Sequence, residues 1–323
     1  MPGPDTPPTP IRGDETRLAA ARAEIDRVDD AIHDLLMRRA VVVADVAAAK
    51  GAGLTHETPV RIAREAQMLR RLAARHRGSL PFTAVADLWH ELIAASTAIQ
   101  APFSVVVAGG ADALAGFGLA RQQFGSSIPI SLVEDARSAL RQVADGTAGV
   151  AVLPPPESGT PGGRPAEAPW WTFLSAAADA PRIVCALPSV LAAGPDEAVR
   201  RRYLAAETPS PAARAVAVAR APFDPSGDDV TLMVATSPGF VSPDSCAAAF
   251  GRADLSCWRL AAADDPHGGP ERDKGAGTDQ LHLIAFAGYV EADDARLKLL
   301  LRPRGGPFED IYPVGGYPVP VSA

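Results

Sequence analysis

Three cations along one stretch of apolar periodicity are the residues of this chain best spaced to do chemistry. Arg39 and Lys50 are eleven residues apart. On an α-helix that is three turns, so they point within roughly 20° of each other and could grip the two ends of one small anion. Arg22 lies seventeen residues before Arg39, roughly 25 Å along the same axis and too far to reach that ligand from the same helix. An antiparallel partner helix removes the difficulty by bringing its own Arg22 beside this Arg39. Further along, Arg64 and Glu65 are adjacent, about 100° apart on a helix surface, and Ser96 and Gln100 are i,i+4 neighbours on one face. Taken singly, Ser96 and Gln100 read as polar helix-packing residues, and Arg64 and Glu65 as a solvated face.

The element that must position the three cations is the stretch from about Asp14 to Gly53. Leu18, Ala21, Ile25, Val28, Ile32, Leu35, Leu36, Val42, Val43 and Val46 recur there at three- and four-residue steps, with no proline between Asp14 and Lys50. Asp14 reads as an N-cap and Gly53 as the glycine that ends the helix. A helix of roughly 55 Å cannot bury such a stripe against one short partner, which leaves a coiled coil or an intertwined helical dimer. Two further helices follow, from about Pro59 to His76 and from about Leu80 to Gln100. The third has Leu88, Trp89, Leu92, Ile93 and Ile99 as its expected core stripe.

Composition narrows the field. The chain has 323 residues, 47% hydrophobic content and net charge −7, which suits a soluble protein of two or three domains. No basic run rises above the acidic balance, so nucleic acid is not an expected partner. No apolar run approaches the length of a membrane span, and MPGPDTPPTPIRG lacks the apolar core of a signal peptide, so the expected location is the cytoplasm. Cys185, Cys246 and Cys257 form no CxxC and read as buried thiols. The six histidines show no metal-binding spacing.

Together the spaced polar residues form a pattern. Residues from about Arg17 to Ala101 resemble the all-helical class of chorismate mutase, the domain that opens the bifunctional chorismate mutase–prephenate dehydratases. The resemblance rests on Leu18 and Arg22, Ile25 to Asp29, Leu35, Leu36, Arg39, Val46 and Lys50. It continues with Arg64-Glu65, then Leu92, Ile93, Ser96 and Gln100. It implies a pericyclic rearrangement of a small dianion, chorismate, to prephenate, with no cofactor and no metal. The enzyme then supplies orientation and stabilisation of charge on the breaking ether oxygen. By the same resemblance, Arg39 and the partner-borne Arg22 would hold the carboxylates, and Lys50 and Gln100 would donate to the ether oxygen. Glu65 would take the ring hydroxyl, while Arg64 and Ser96 complete the pocket.

After Phe103 the texture changes. FSVVVAGG, DALAGFGLARQQFG, IPISLV, EDARSALRQVADG and GVAVLP alternate strand and helix, the signature of an α/β unit with a mostly parallel sheet. This region resembles a prephenate dehydratase domain of periplasmic-binding-like plan. It is truncated, and its motifs are altered at Ala113 to Gly116, at Pro156-Glu157-Ser158, and at Ala213-Arg214-Ala215, where the resemblance calls for a catalytic threonine. From about Asp228, strands and helices follow in the order βαββαβ, resembling a ferredoxin-like ACT domain that ends in Gly-Gly-Tyr-Pro. The ESRP-like stretch that the resemblance calls for after the second strand is Ala-Ala-Ala-Asp here, from Ala261 to Asp264. An amino-acid sensor and a ligand-free packing module are equal readings of it.

The expected organisation is a disordered tail over 1–15 and an intertwined, dimerising three-helix mutase domain over 16–102. A degenerate dehydratase-like domain over 103–222 and an ACT-like domain over 228–323 complete it. A bifunctional enzyme that also dehydrates prephenate, and a non-catalytic dimeric regulator, are the rival readings.

Overall fold

The computed structural model describes residues 12–50, 59–160, 162, 167–192, 200–205, 214–267 and 279–322. The chain divides into two compact units, Met1–Leu54 and Thr55–Ala323. The first is one helix, α1, Arg12–Lys50. Asp14 lies within its first turn together with Glu15. It therefore does not cap the helix but places negative charge where the unpaired N–H groups favour it. Gly53 lies outside the described residues. The apolar stripe is open along its length: Leu18, Ile25, Val28, Ile32, Leu35, Val42 and Val46 each expose about half or more of their surface.

The second unit opens with α2, Ile62–Arg75, and α3, Phe82–Gln100. The face that α3 buries is not the expected leucine stripe. Phe82, Ala86, His90 and Ala94 are buried, while Leu88 is 59% and Ile99 81% exposed. The reason is what lies on each side: Ala94 packs against α4, Ala113–Phe124, where a small side chain lets the helices approach closely, while Phe82 and Ala86 pack with Leu69, Val190 and Val321.

Behind these helices stands one nine-stranded sheet. In chain order its strands are β1 (Val105–Ala108), β2 (Ile130–Val133), β3 (Val150–Leu153), β4 (Arg182–Leu187) and β6 (Ala215–Ala219). They continue with β7 (Asp229–Ser237), β8 (Cys257–Asp264), β9 (Gln280–Ala287) and β10 (Asp310–Pro318). The spatial order is β2-β1-β3-β6-β4-β10-β7-β9-β8. A short β5 (Val190–Leu191) pairs with β11 (Val321–Ser322) beside it. The α/β alternation stands as read, with α5, Ala136–Ala144, capped by the Asp135 carboxylate at 2.7 Å from the Ser138 N–H. The sheet itself is mixed and not mostly parallel. β1 pairs in parallel with β2 and β3, but β6 runs antiparallel to both β3 and β4. β1, β3 and β6 are buried at every residue, as befits continuous apolar runs covered on both faces.

The C-terminal strands form an antiparallel block, β10-β7-β9-β8, with α6, Pro243–Arg252, between β7 and β8. The ADDARLKLLLR stretch is a 3₁₀ segment, Ala295–Leu300, not an α-helix. Ala261 to Asp264 are the last four residues of β8. The sheet does not stop at the expected boundary near residue 222, because β10 pairs in parallel with β4 at Gly315 and Ile183. Gly315 has φ +117, and a Cβ there would meet the Ile183 carbonyl oxygen at 2.1 Å. The Gly-Gly-Tyr-Pro motif therefore has a local physical role: it is where two strands come too close for any side chain.

Candidate active site

α1 is unbroken from Arg12 to Lys50, so the helical spacing of its cations holds throughout. Arg39 and Lys50 are separated by about 16 Å along the axis on nearly one face, and Arg22 lies about 25 Å before Arg39. Arg22 is exposed and Arg39 half-buried. Lys50 is the last residue of the helix; its side chain lies outside what the structure describes.

In the second unit, Ser96 and Gln100 meet on the last turns of α3. The Gln100 amide donates to the Ser96 carbonyl at 3.1 Å, and the Ser96 hydroxyl donates to the Leu92 carbonyl at 2.6 Å. Both of these bonds lie within the helix, with Gln100 at the surface. Arg64 and Glu65, neighbours in sequence, have opposite fates. Arg64 is exposed, whereas Glu65 is 8% exposed and turned toward the sheet.

There Glu65 enters a buried polar cluster that no sequence spacing announces. Gln123 of α4 donates its side-chain N–H to Glu65 Oε1 at 2.8 Å. The Ser189 hydroxyl, between β4 and β5, donates to Gln123 Oε1 and so fixes which way the amide points. His90 of α3, 2% exposed, brings Nε2 to 3.4 Å from Glu65 Oε1. That distance suits an ion pair, yet the environment opposes charge on both partners. Burial raises the Glu65 carboxyl from 4.5 to about 8, the Gln123 hydrogen bond opposing it. Burial also lowers His90 from 6.5 to about 4, with the Asp87 carboxylate opposing that shift. Between those values both groups are neutral and the contact is not an ion pair. Burial likewise keeps the thiol of Cys185 protonated, and Glu65 adds to that effect. The void beside the cluster, lined by Ile62, Ala66, Leu69 and Cys185 among others, has a volume of about 10 Å³. That is room for about one water.

Around this centre the helices are tied down by more exposed polar contacts. Arg70 donates to the carbonyl and hydroxyl of Ser226 and to the carbonyls of Asp228 and Val319. Glu91 accepts from the backbone and hydroxyl of Ser126, and Gln122 donates to Asp87. The structure thus brings Ser96 to Gln100. It sets Glu65 elsewhere, beside His90, which precedes Ser96 and Gln100 by about 9 and 15 Å along α3. Gln123 and Ser189 stand 58 and 66 residues from their partners in the chain, so only the tertiary structure reveals them.

The dehydratase-like positions serve local structure. The Glu157 carbonyl accepts from the Trp171 indole at 2.8 Å, and the Ser158 hydroxyl accepts from the Ala262 N–H. Arg214 donates to the carbonyls of Tyr203 and Ala205, and Ala215 opens β6. Ala213 lies outside the described residues. Among the described residues no cluster of His, Cys, Asp and Glu is arranged to hold a metal ion. No helix there is long and apolar enough to cross a membrane.

Known proteins can be set beside this geometry. Residues 21–101 match the family model described as chorismate mutase type II. A bifunctional chorismate mutase/prephenate dehydratase of Pseudomonas aeruginosa is 30% identical over 147 residues, 44% of this chain and 39% of the relative. The matched stretch therefore spans about two fifths of that relative's length. Among solved structures, the prephenate dehydratase of Streptococcus mutans is similar at TM-score 0.38 and 11% identity, covering 67% of this chain and 97% of that one. The L-Phe complex of the Arthrobacter aurescens prephenate dehydratase gives 0.39 and 13%, covering 67% and 90%. The chain thus carries, at residues 21–101, a chorismate mutase type II domain, followed by a domain built on a mixed sheet.

Proposed function

We propose that the chain is a chorismate mutase that works as a homodimer. The single observation that carries this reading is the family match over residues 21–101, which encloses the cations and hydrogen-bonding residues singled out by their spacing. The reaction needs neither nucleophile nor redox group; it needs the reactive conformer held and charge on the breaking ether bond stabilised. In this reading Arg39 and the partner's Arg22 clamp the two carboxylates by paired N–H donors. Lys50 and Gln100 donate to the ether oxygen, Glu65 meets the ring hydroxyl, and Arg64 and Ser96 close the pocket. The exposed stripe of α1 supports the homodimer, since seven open apolar side chains on one helix ask for a partner surface. The second copy supplies it, with Arg22 acting in trans.

The remaining assignments belong to the same proposal. Residues 103–222 are a dehydratase-like region without activity, because the stretch at Ala213 to Ala215 offers no threonine. Residues 228–323 are an ACT-like module, supported by the β10-β7-β9-β8 order, and the protein is cytoplasmic. The test is an assay of the purified chain with chorismate and, separately, with prephenate. Loss of chorismate without formation of phenylpyruvate is expected. No loss of chorismate overturns the mutase reading; phenylpyruvate overturns the inactive dehydratase and makes the enzyme bifunctional.

A further inference from the structure

Glu65 presents a conflict that the fold itself poses. Its carboxyl is enclosed by α3, α4 and the turn between β4 and β5, beside a void of about 10 Å³. No substrate can reach it there. Both ends of the Gln123 amide are engaged, one with Glu65 and one with Ser189, so the Ser189 bond orients the amide N–H toward the carboxyl. Of the outer contacts of the α2–α3 hairpin, those of Asp87 and Glu91 are exposed and those of Arg70 are part-buried. Water can replace the exposed partners of Asp87 and Glu91 at small cost, whereas the Arg70 bonds hold more firmly. The Glu65 carboxyl, 8% exposed, is closed to such replacement while the hairpin is seated.

We propose that Glu65, Gln123 and Ser189 form a latch: engaged, it fixes the α2–α3 hairpin on the sheet and hides the Glu65 carboxyl; disengaged, it frees both. The groups facing Glu65 are His90 on α3 and the Cys185 thiol on β4, with Asp87 acting on His90. Near neutral pH the histidine is neutral and burial holds the thiol protonated, so the carboxyl is the member of the cluster whose charge changes first as pH rises. A buried carboxylate without a cation beside it is strongly disfavoured. Ionisation therefore favours the disengaged state, by about tenfold between pH 7 and pH 9. As a device for exposing Glu65 to chorismate the latch rests on the mutase reading; as a lock on the hairpin it does not.

The experiment is hydrogen–deuterium exchange of the full chain at pH 7 and pH 9, corrected for the intrinsic base catalysis of exchange. The amides of residues 62–75 should lose about tenfold in protection at the higher pH in the natural protein and none in Glu65→Gln, whose side chain stays neutral. Gln123→Leu should show the loss already at pH 7. Amides of β7 report that each variant remains folded. Equal pH responses of the natural protein and Glu65→Gln overturn the latch. In a parallel arm with chorismate, kcat/KM of Gln123→Leu should exceed that of the natural protein at pH 7 and converge with it at pH 9. If no protein turns over chorismate, the mutase reading fails while the exchange data still decide the latch. If turnover is unaffected but exchange responds, the lock stands and its link to the reaction falls.

Discussion

Replacing Glu65 by glutamine keeps the length and shape of the side chain, keeps an oxygen for the Gln123 N–H, and removes the titration. In the folded protein the carboxyl titrates at about 8, against 4.5 when unburied. A group whose proton is held more tightly in the folded state stabilises the fold fully below its unfolded pKa and loses that contribution as pH rises through the folded value. The window is therefore pH 4.5 to about 8, and two of its units lie between pH 6 and pH 9. At about 1.4 kcal/mol per unit the natural protein should lose about 3 kcal/mol across that interval relative to Glu65→Gln. Solvent exposure calls for no discount, because the residue is 8% exposed. For a folding unit of this size that is roughly 5–10 °C in Tm. The assay is a series of thermal melts of both proteins in matched buffers from pH 6 to pH 9. His90 and His282 titrate near 4 when folded, so their contributions begin to be lost as pH falls through 6.5, at the low end of this interval; both proteins carry both histidines, and the effect cancels in the difference. Melting curves that shift in parallel, with a constant difference in Tm, would refute the buried neutral carboxyl.

Four other perturbations have defined outcomes. Arg70→Ala removes hydrogen bonds to Ser226, Asp228 and Val319 and should cost about 2–3 kcal/mol in denaturant unfolding. Gly315→Ala forces a methyl group onto the Ile183 carbonyl and should cost at least about 3 kcal/mol, read as a lowered Tm or loss of soluble protein. On the mutase reading, Lys50→Ala and Gln100→Ala should each lower kcat by about a hundredfold or more without changing Tm. Co-refolding inactive Arg22→Ala and Arg39→Ala chains should restore roughly a quarter of natural activity, since half the dimers are mixed and half their pockets complete; no recovery despite proven subunit exchange would sink the action of Arg22 in trans.

What the sequence determined by itself is local. The length of α1 followed from apolar residues at three- and four-residue steps without a proline, because helical periodicity and the absence of a breaker are properties of neighbouring residues. The alternation from β1 to β3 was legible for the same reason, and so was the mutase region, whose polar residues keep fixed intervals over three helices. The tertiary structure decided what depends on distant neighbours. Strand direction was one such thing: β6 and β4 run antiparallel in a sheet that alternation alone suggested was parallel, since nothing local records which strand will lie beside which. The face of α3 was another, because Ala94 becomes core only where α4 approaches and Ala86 only where α2, β5 and β11 do. Glu65 shows the limit most clearly. Adjacent residues on a helix differ by about 100°, so its type and place beside Arg64 could be read directly. Its burial, its neutrality and its bond to Gln123 required a side chain 58 residues away to fold against it.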